Sequence, residues 1–199
     1  MIIIGKKRII SIQQLFFVFS LCFFVACGKS YTPRPYGYFR VQLPEHEYRV
    51  VDTLNLPYSF EISKIARVVS RDTDANKHWI DIEYPSLNGS LYCSYMPVKG
   101  DLYELSEESR KIAYKHSIRA ESIKESFYEN PEQRIYSILY DLDGNTASPL
   151  QFVVTDSTRH FFRAALYFNH IPNRDSIAPM VNYVREDVVH LIESFEWKR

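Results

Sequence analysis

The sequence predicts an α+β domain, in which a mainly antiparallel β-sheet is packed by a long middle helix and a C-terminal amphipathic helix. Three observations support this class. Short segments that alternate apolar and polar residues come first, as in strands with one buried face. A long amphipathic stretch and three more strand-like segments follow, and a second amphipathic stretch closes the chain. Because hairpins dominate and each helix must cover an apolar surface, the helices are expected to pack on the sheet.

The first half of the chain carries strand signals in quick succession. The predicted strands are 38–43, 48–51, 58–62, 66–69, 78–84 and 91–96. Residues 78–84 alternate apolar and polar, which is the period of a half-buried strand. The Asn88-Gly89 pair, just before the last of these strands, is a strong hairpin signal.

The middle of the chain has a different period. Apolar residues at helical spacings between about 102 and 127 are Leu105, Ile112, Ala113, Ala120, Ile123 and Phe127. The residues between them are mostly charged, so one amphipathic helix, or two with a break, is predicted here. Asn130-Pro131 is expected to end it, because the residue before a proline avoids the helical conformation.

The last third combines three strands with a terminal helix. Strands are predicted at 134–140, 150–155 and 160–168, the last two as a hairpin around 156–158. The apolar face of the terminal helix consists of Ile177, Met180, Val181, Val184, Val188, Leu191, Ile192 and Phe195. Ser176 or Asp175 is the predicted cap, with Pro179 in the first turn. This order is similar to that of PsbP/Mog1-like domains, a likeness of topology that carries no function.

The N-terminus has the features of an export signal that ends at Cys27. The basic residues Lys6, Lys7 and Arg8 precede a mostly apolar stretch, and small Ala26 stands directly before the cysteine. A bacterial lipoprotein signal ends in this way, so lipidation of Cys27, with palmitate as a typical acyl chain, is predicted. A retained membrane anchor and ordinary cleaved secretion are the alternatives, because the apolar run is marginal for a membrane span.

Cleavage before Cys27 would divide the chain into a signal peptide (1–26), a lipidated tether (27–36) and a single globular domain (37–199). The signal holds three basic and no acidic residues, so 21 basic and 24 acidic residues remain and the net charge is −3. This charge argues against nucleic acid as a partner, because phosphate binding needs a basic surface. Cys93 is then left without a disulfide partner and is interpreted as a small buried strand residue.

Candidate catalytic and metal-binding residues lack the spacing that their chemistry needs. Residues 141–145 contain Asp-Gly and Gly-Asn pairs that a turn explains, and they do not match an EF-hand loop. The histidines are scattered, with no HExxH or other metal spacing, and comprise His46, His78, His116, His160, His170 and His190. His116 is interpreted as a core or boundary residue on the middle helix. The nucleophile elbow and phosphate-binding loops are also absent from the sequence, so no cofactor is predicted.

A cluster of aromatic, proline and arginine residues stands beside the tether. It comprises Pro33, Arg34, Pro35, Tyr36, Tyr38 and Arg40. Tyr and Arg together are typical interface anchors, so this segment is a candidate docking surface. Packing of the same segment on its own domain is the alternative.

Several motifs together resemble one known family. The segment after Cys27 is YTPRPYGYFR (31–40), and the densest stretches are LYDLDGNTASP (139–149) and FVVTDSTRHF (152–161). These motifs resemble the GldD family of gliding-motility lipoproteins of Bacteroidetes. The likeness also includes 58–61, 114–116 and shorter pieces as far as 186–187, so it covers nearly all of the mature chain in order.

The resemblance implies a lipoprotein that is needed for gliding motility and is tied to the type IX secretion apparatus. It implies membrane attachment through lipid, other gliding or type IX secretion proteins as partners, no enzymatic activity and no cofactor. Only Cys27 carries over as a functional residue. In these bacteria, acidic residues directly after the lipidated cysteine resemble a signal for export to the cell surface. The segment 28–31 contains no acidic residue, so an outer-membrane anchor that faces the periplasm is expected. The alternatives are a periplasmic module with a small ligand in an aromatic pocket, and a hydrolase whose residues converge only in space.

Overall fold

The described part of the chain is built on one large antiparallel sheet with a helix on each face. The structure is a computed structural model that describes residues 42–51, 55–115, 120–170 and 173–198. Its helices are Leu102–Lys115 (α1) and Arg174–Glu193 (α2), and Pro85–Leu87 form a short 3₁₀ turn. Its strands are Tyr48–Val50 (β1), Tyr58–Ser59 (β2), Glu61–Ser63 (β3), Arg67–Ser70 (β4), Ile80–Tyr84 (β5), Gly89–Pro97 (β6), Ala120–Asn130 (β7), Ile135–Gly144 (β8), Leu150–Thr155 (β9), His160–Phe168 (β10) and Glu196–Trp197 (β11).

Seven of these strands form the large sheet, in the order β4-β5-β6-β10-β9-β8-β7. Every neighbouring pair is antiparallel. Strands β4 to β6 and β7 to β10 are two runs of consecutive hairpins, which the pairing of β6 with β10 joins. Two small antiparallel ribbons, β1 with β3 and β2 with β11, stand beside the sheet. The predicted α+β class with a mainly antiparallel sheet is therefore confirmed.

The main core lies between α2 and one face of the sheet. Alternate residues of the central strands point into it, as the two-residue period of a strand requires. The strands contribute Leu91, Cys93, Tyr95, Leu150, Phe152, Val154, Phe162, Ala164 and Leu166. The helix contributes Ile177, Val184, Val188, Leu191 and Ile192. These α2 residues belong to the apolar face predicted from the sequence.

A second, smaller core lies under α1 on the opposite face of the sheet. Ala113 of α1 packs against Tyr140 and Leu142 of β8. The hydroxyl of Tyr114 donates a hydrogen bond to Glu125 of β7 at 2.9 Å. Helix α1 therefore packs on this face against β7, β8 and β10, and the sequence correctly predicts that both helices pack on the sheet.

Strands β9 and β10 lie within the bounds that the sequence predicts, and they form the predicted hairpin. The predicted strand 58–62 is divided, because β2 pairs with β11 whereas β3 pairs with β1. Of the predicted strand 38–43, residues 38–41 lie outside the described residues, and Gln42 and Leu43 have no regular structure.

The prediction of helix beyond residue 115 is wrong, since Ala120–Asn130 form the edge strand β7. The apolar residues Ala120, Ile123 and Phe127 have the spacing of a helix, but Phe127 is 71% exposed and anchors no core. An edge strand needs little apolar surface, and charged residues along it discourage pairing with another chain. Asn130-Pro131 accordingly ends a strand and begins the turn to β8.

The start of α2 also differs from the prediction. Asn173 is its cap, and the Asn173 side chain accepts a hydrogen bond from the backbone N–H of Ser176. Asp175 and Ser176, the predicted caps, lie inside the first turn. Pro179 lies in the helix interior, where its ring removes one backbone hydrogen bond. The apolar pattern identifies the helix, but it does not decide which neighbouring polar residue caps it.

Asp156 organises the turn between β9 and β10. Its Oδ1 accepts backbone N–H bonds from Thr158 at 3.0 Å, Arg159 at 2.7 Å and His160 at 2.8 Å. Burial raises the pKa of Asp156, but these donors together outweigh burial and hold the pKa at about 2, below its ordinary value of 3.8. The carboxylate therefore stabilises the turn in its ionised form.

Replacing this carboxylate is expected to weaken the hairpin. Asp156→Ala should lower the free energy of unfolding by about 2 kcal/mol near neutral pH, because three turn N–H groups lose their acceptor. Since the folded pKa lies below the unfolded one, this stabilisation is present above pH 3.8 and is lost as pH falls through about 2. Urea unfolding of wild type and variant at both pH values measures the difference. A difference that does not shrink in acid would contradict the carboxylate's role.

Candidate functional site

The residues with predicted roles in anchoring and docking lie outside the described residues. They are Cys27, Pro33, Arg34, Pro35, Tyr36, Tyr38 and Arg40. The described chain begins shortly after them, at Gln42. The segment 42–50, which we call the arm, is therefore the described part of the domain nearest in sequence to the predicted lipid.

His46 connects the arm to α2. Its Nδ1 lies 2.7 Å from Asp187 Oδ1, and its Nε2 lies 3.0 Å from Glu186 Oε2. The His46 ring also stacks on Tyr183, with 4.1 Å between ring centroids. One side chain of the arm thus contacts three residues on two turns of the helix.

Tyr48 makes a second connection two residues further along the arm. Its ring stacks on His190 of α2, with 3.6 Å between ring centroids. His190 Nε2 in turn lies 2.6 Å from Glu61 Oε2 on β3, the strand that pairs with the arm through β1. We call His46, Tyr48, Glu61, Glu186, Asp187 and His190 the arm clamp.

Asp187 is the buried centre of the arm clamp, with only 1% of its surface exposed. Burial raises its pKa above the ordinary value of 3.8, whereas the hydrogen bond from His46 opposes this shift. Burial, followed by the negative charge of Asp187, raises the pKa of Tyr48 to about 12. The pKa of Tyr84 is also raised by burial and by Asp187. The clamp therefore holds a buried acid by giving it an imidazole partner, beside the hydroxyl groups of Tyr84 and Ser63.

The geometry of the arm clamp suits attachment and not nucleophilic catalysis. In a catalytic triad, the imidazole turns one nitrogen to a carboxylate and the other to the nucleophile. Both ring nitrogens of His46 face carboxylates, those of Asp187 and Glu186. The ring therefore has no nitrogen available to activate a serine, and its contacts fasten the arm to the helix.

His160, the other histidine relevant to a hydrolase, is also in a structural arrangement. Its Nδ1 lies 2.7 Å from the hydroxyl of Tyr95, and its ring stacks on Trp197 of β11. Burial lowers the pKa of His160, which favours the neutral ring. Its ring partner is a phenol, so the arrangement expected of a hydrolase does not occur at His160. His116 lies outside the described residues.

The remaining sequence candidates are found in separate places. His160 begins β10 and His170 follows its end, so they are separated by about 30 Å of extended chain. Asp141 and Asp143 belong to the end of β8 and bind arginines of α2, with 2.7 Å from Arg185 Nε to Asp141 Oδ1. Cys93 is buried in β6, and burial raises the pKa of its thiol, as expected for a structural cysteine.

The described ranges contain neither a metal-binding cluster nor a helix able to span a membrane. No group of three or more His, Cys, Asp and Glu side chains is arranged to hold a metal ion there. Nor does any helix in those ranges combine the length and apolarity needed to cross a membrane.

Sequence reasoning missed the arm clamp, although one signal for it was present. Asp187 stands within the apolar stripe of α2, between Val184 and Val188. An acid in such a stripe is expected to be buried and therefore to need a partner. That partner, His46, is 141 residues away in the sequence, and the helical pattern contains no information about it.

The fold and the arm clamp define a small α+β domain that is held through an N-terminal arm. The family model for the gliding motility lipoprotein GldD matches residues 28–197. The chain therefore belongs to the GldD family of gliding-motility lipoproteins, as the sequence resemblance predicts. This membership makes it a membrane-associated lipoprotein of the gliding-motility class.

The chain is similar to the solution structure of cyanobacterial PsbP (CyanoP) from Synechocystis sp. PCC 6803, with 10% identity and a TM-score of 0.46. That match covers 82% of this chain and 99% of the cyanobacterial one. A comparison with curated protein sequences finds no match.

Proposed function

We propose that this protein is a non-catalytic, lipid-anchored component or assembly factor of the gliding-motility and type IX secretion machinery. It acts from the outer membrane and faces the periplasm. The observation that carries the proposal is the arm clamp, which fastens the chain following the predicted lipid site to the last helix of the domain. Membership of the GldD family supports the link to motility.

The arm clamp gives the anchor a mechanical role. Gln42 follows Cys27 by 15 residues, so the chain between them spans at most about 54 Å when fully extended. A domain attached in this way stays close to the bilayer. Force on the lipid would enter the domain at His46 and Tyr48 and be shared with α2 and β3. An attachment of this kind suits a component that bears load between the membrane and its partners.

The proposed layout assigns a separate role to each part of the chain. Residues 1–26 direct export, 27–36 form the lipidated tether, and 37–199 form the domain. The aromatic, proline and arginine residues beside the tether form the docking surface for another machine component. Lipidated Cys27 holds this surface at the membrane.

Removing the lipid should separate the domain from the membrane. Cys27→Ser is expected to move the protein from the membrane fraction to the soluble fraction, because no acyl chain can then be attached. Colony spreading and type IX secretion should be lost with it, since the machine is membrane-bound. Fractionation, spreading and secretion assays measure these effects, with Cys93→Ala as the matched control, because it removes a buried thiol without placing a hydroxyl in the core. Normal motility and secretion in Cys27→Ser cells would reject the proposal.

Orientation and partner require separate measurements. Protease treatment of intact cells should leave the domain uncut if it faces the periplasm. Digestion of the domain in intact cells would reject that orientation.

Photo-crosslinkers placed at Tyr36 and Tyr38 should capture another component of the motility machine. Capture only of the protein's own domain would instead show that the tether packs in cis.

A further inference from the structure

A shallow cleft lies over strands β4, β5, β6 and β10, on the sheet face that also carries α1. Its volume is about 540 Å³, within the range of small-ligand sites. A row of residues crosses four strands at its base: Arg67 pairs in register with Glu83, Glu83 with Ser90, and Ser90 with Tyr167. Tyr92 follows Ser90 on the same face of β6. The cleft is thus built from strands, whose side chains hold fixed spacings.

Two tyrosine rings form one wall of this cleft. Tyr92 is 50% exposed, although it stands in the middle of a nine-residue strand. Its ring lies 5.6 Å from that of Tyr167, measured between centroids, and the two planes are inclined at 59°. This arrangement offers an angled aromatic surface to the solvent. Such a surface attracts ligands that present apolar C–H faces.

The charges in the cleft cancel each other. Arg67 and Glu83 are the charged side chains among its described lining residues. They bind one another, with 2.7 Å between Arg67 Nη2 and Glu83 Oε2. A phosphate or carboxylate ligand would meet an arginine that is already paired, and a cationic ligand would meet a paired glutamate. The cleft therefore favours a neutral ligand.

Hydrogen bonds fix the rim of the cleft. Asn88 Nδ2 donates to the carbonyl of Asn169 at 3.1 Å, and the Asn169 N–H donates to the carbonyl of Asn88 at 2.9 Å. Asn88 holds the left-handed conformation, with φ 50°. At Gly89, a Cβ would lie 2.8 Å from the ring of Phe168, so the backbone and that ring are in close contact. The rim is therefore ordered before any ligand arrives, which reduces the entropy cost of binding.

We propose that this cleft binds a neutral oligosaccharide. A sugar ring combines an apolar C–H face, which fits the surface of Tyr92 and Tyr167, with hydroxyl groups along its edge. Those hydroxyls meet the polar side chains of Ser90, Asn88 and Asn169 on the floor and rim. Few other classes of ligand are uncharged and combine one apolar face with an edge rich in hydroxyl groups. The inference is independent of the motility role and of the arm clamp.

Saturation-transfer NMR with the full domain tests this assignment. The probes are maltohexaose, cellohexaose and chitohexaose, each at millimolar concentration. At least one should receive saturation from the protein, and Tyr92→Ala should weaken its binding about tenfold. Tyr92→Phe, which keeps the ring, should retain most of the affinity.

The controls separate a built site from a sticky surface. Tyr103→Ala removes another exposed tyrosine, 74% exposed and outside the cleft, and should leave binding unchanged. Ser90→Arg fills the cleft and adds a charge, so it should abolish binding even if Tyr92→Ala does not fold. Absence of binding with all three oligosaccharides, or binding that survives both cleft variants, would overturn the proposal. Preference for sulfated over neutral oligosaccharides would also overturn it.

Discussion

Phe162→Ala is expected to lower the free energy of unfolding by about 3 to 5 kcal/mol, the largest effect predicted for this domain. Phe162 is fully buried on β10, at the centre of an aromatic cluster. Its ring lies 5.0 Å from Tyr58 and 5.4 Å from Phe195, measured between centroids. Removing the ring leaves a cavity between the sheet, the β2–β11 ribbon and Phe195, which stands between α2 and β11. The surroundings of such a cavity relax only in part, so the loss of contacts is not recovered.

Phe127→Ala is the matched control, because it removes the same ring from an exposed position on β7. Since 71% of Phe127 is exposed, the free energy of unfolding should change by no more than about 0.5 kcal/mol. Urea unfolding followed by circular dichroism measures both variants. Equal losses in the two variants would show that the aromatic cluster around Phe162 is not the centre of the core.

The contrast between these two phenylalanines also shows what the sequence can predict. Phe162 stands in a segment whose apolar residues fall on both faces, as in a central strand, and β10 was predicted correctly. Phe127 stands among charged residues at a spacing that fits a helix as well as an edge strand. Periodicity identifies an element from the surface that it buries. An edge strand buries little surface, so local pattern cannot distinguish it from a solvated helix.

The arm clamp could not be predicted for a different reason. Sequence patterns report on neighbours within a few residues, whereas His46 and Asp187 are 141 residues apart and come together only through the tertiary fold. The sequence does indicate that Asp187 needs a partner, because it stands in an apolar stripe. The partner could have been any polar residue elsewhere in the chain. The arm clamp is therefore known from tertiary geometry, whereas the lipid anchor is predicted from the N-terminal sequence. The arm is the segment that connects the two.

The second large effect is expected at this clamp. His46→Ala should lower the free energy of unfolding by about 2 to 3 kcal/mol near neutral pH, because the buried carboxylate of Asp187 loses its imidazole partner. The arm should also detach from α2, so limited proteolysis should cut near residue 46 faster than in wild type. This loss of unfolding free energy is at the lower end of the range for a broken buried ion pair, because the His46 side chain is 26% exposed.

The pH dependence separates this mechanism from simple loss of packing. The folded pKa of Asp187 lies above its unfolded value of 3.8, so the ionised carboxylate favours the unfolded state. Stability linked to Asp187 is therefore greatest below pH 3.8 and is lost as pH rises through the folded pKa. Without His46 the folded pKa rises further, and the cost of His46→Ala should shrink as pH is lowered toward 3.8.

Asp187→Asn supplies the matching background, because it removes the charge and keeps the shape. In Asp187→Asn protein, His46→Ala should cost less than about 1 kcal/mol, since no buried charge is left without a partner. Urea unfolding of the wild type, the two single variants and the double variant gives the coupling energy directly. An equal cost of His46→Ala in both backgrounds, and at both pH values, would show that His46 acts through Tyr183 and Glu186 and not through Asp187. The arm would then be held without the buried carboxylate, and the burial of that acid would need another explanation.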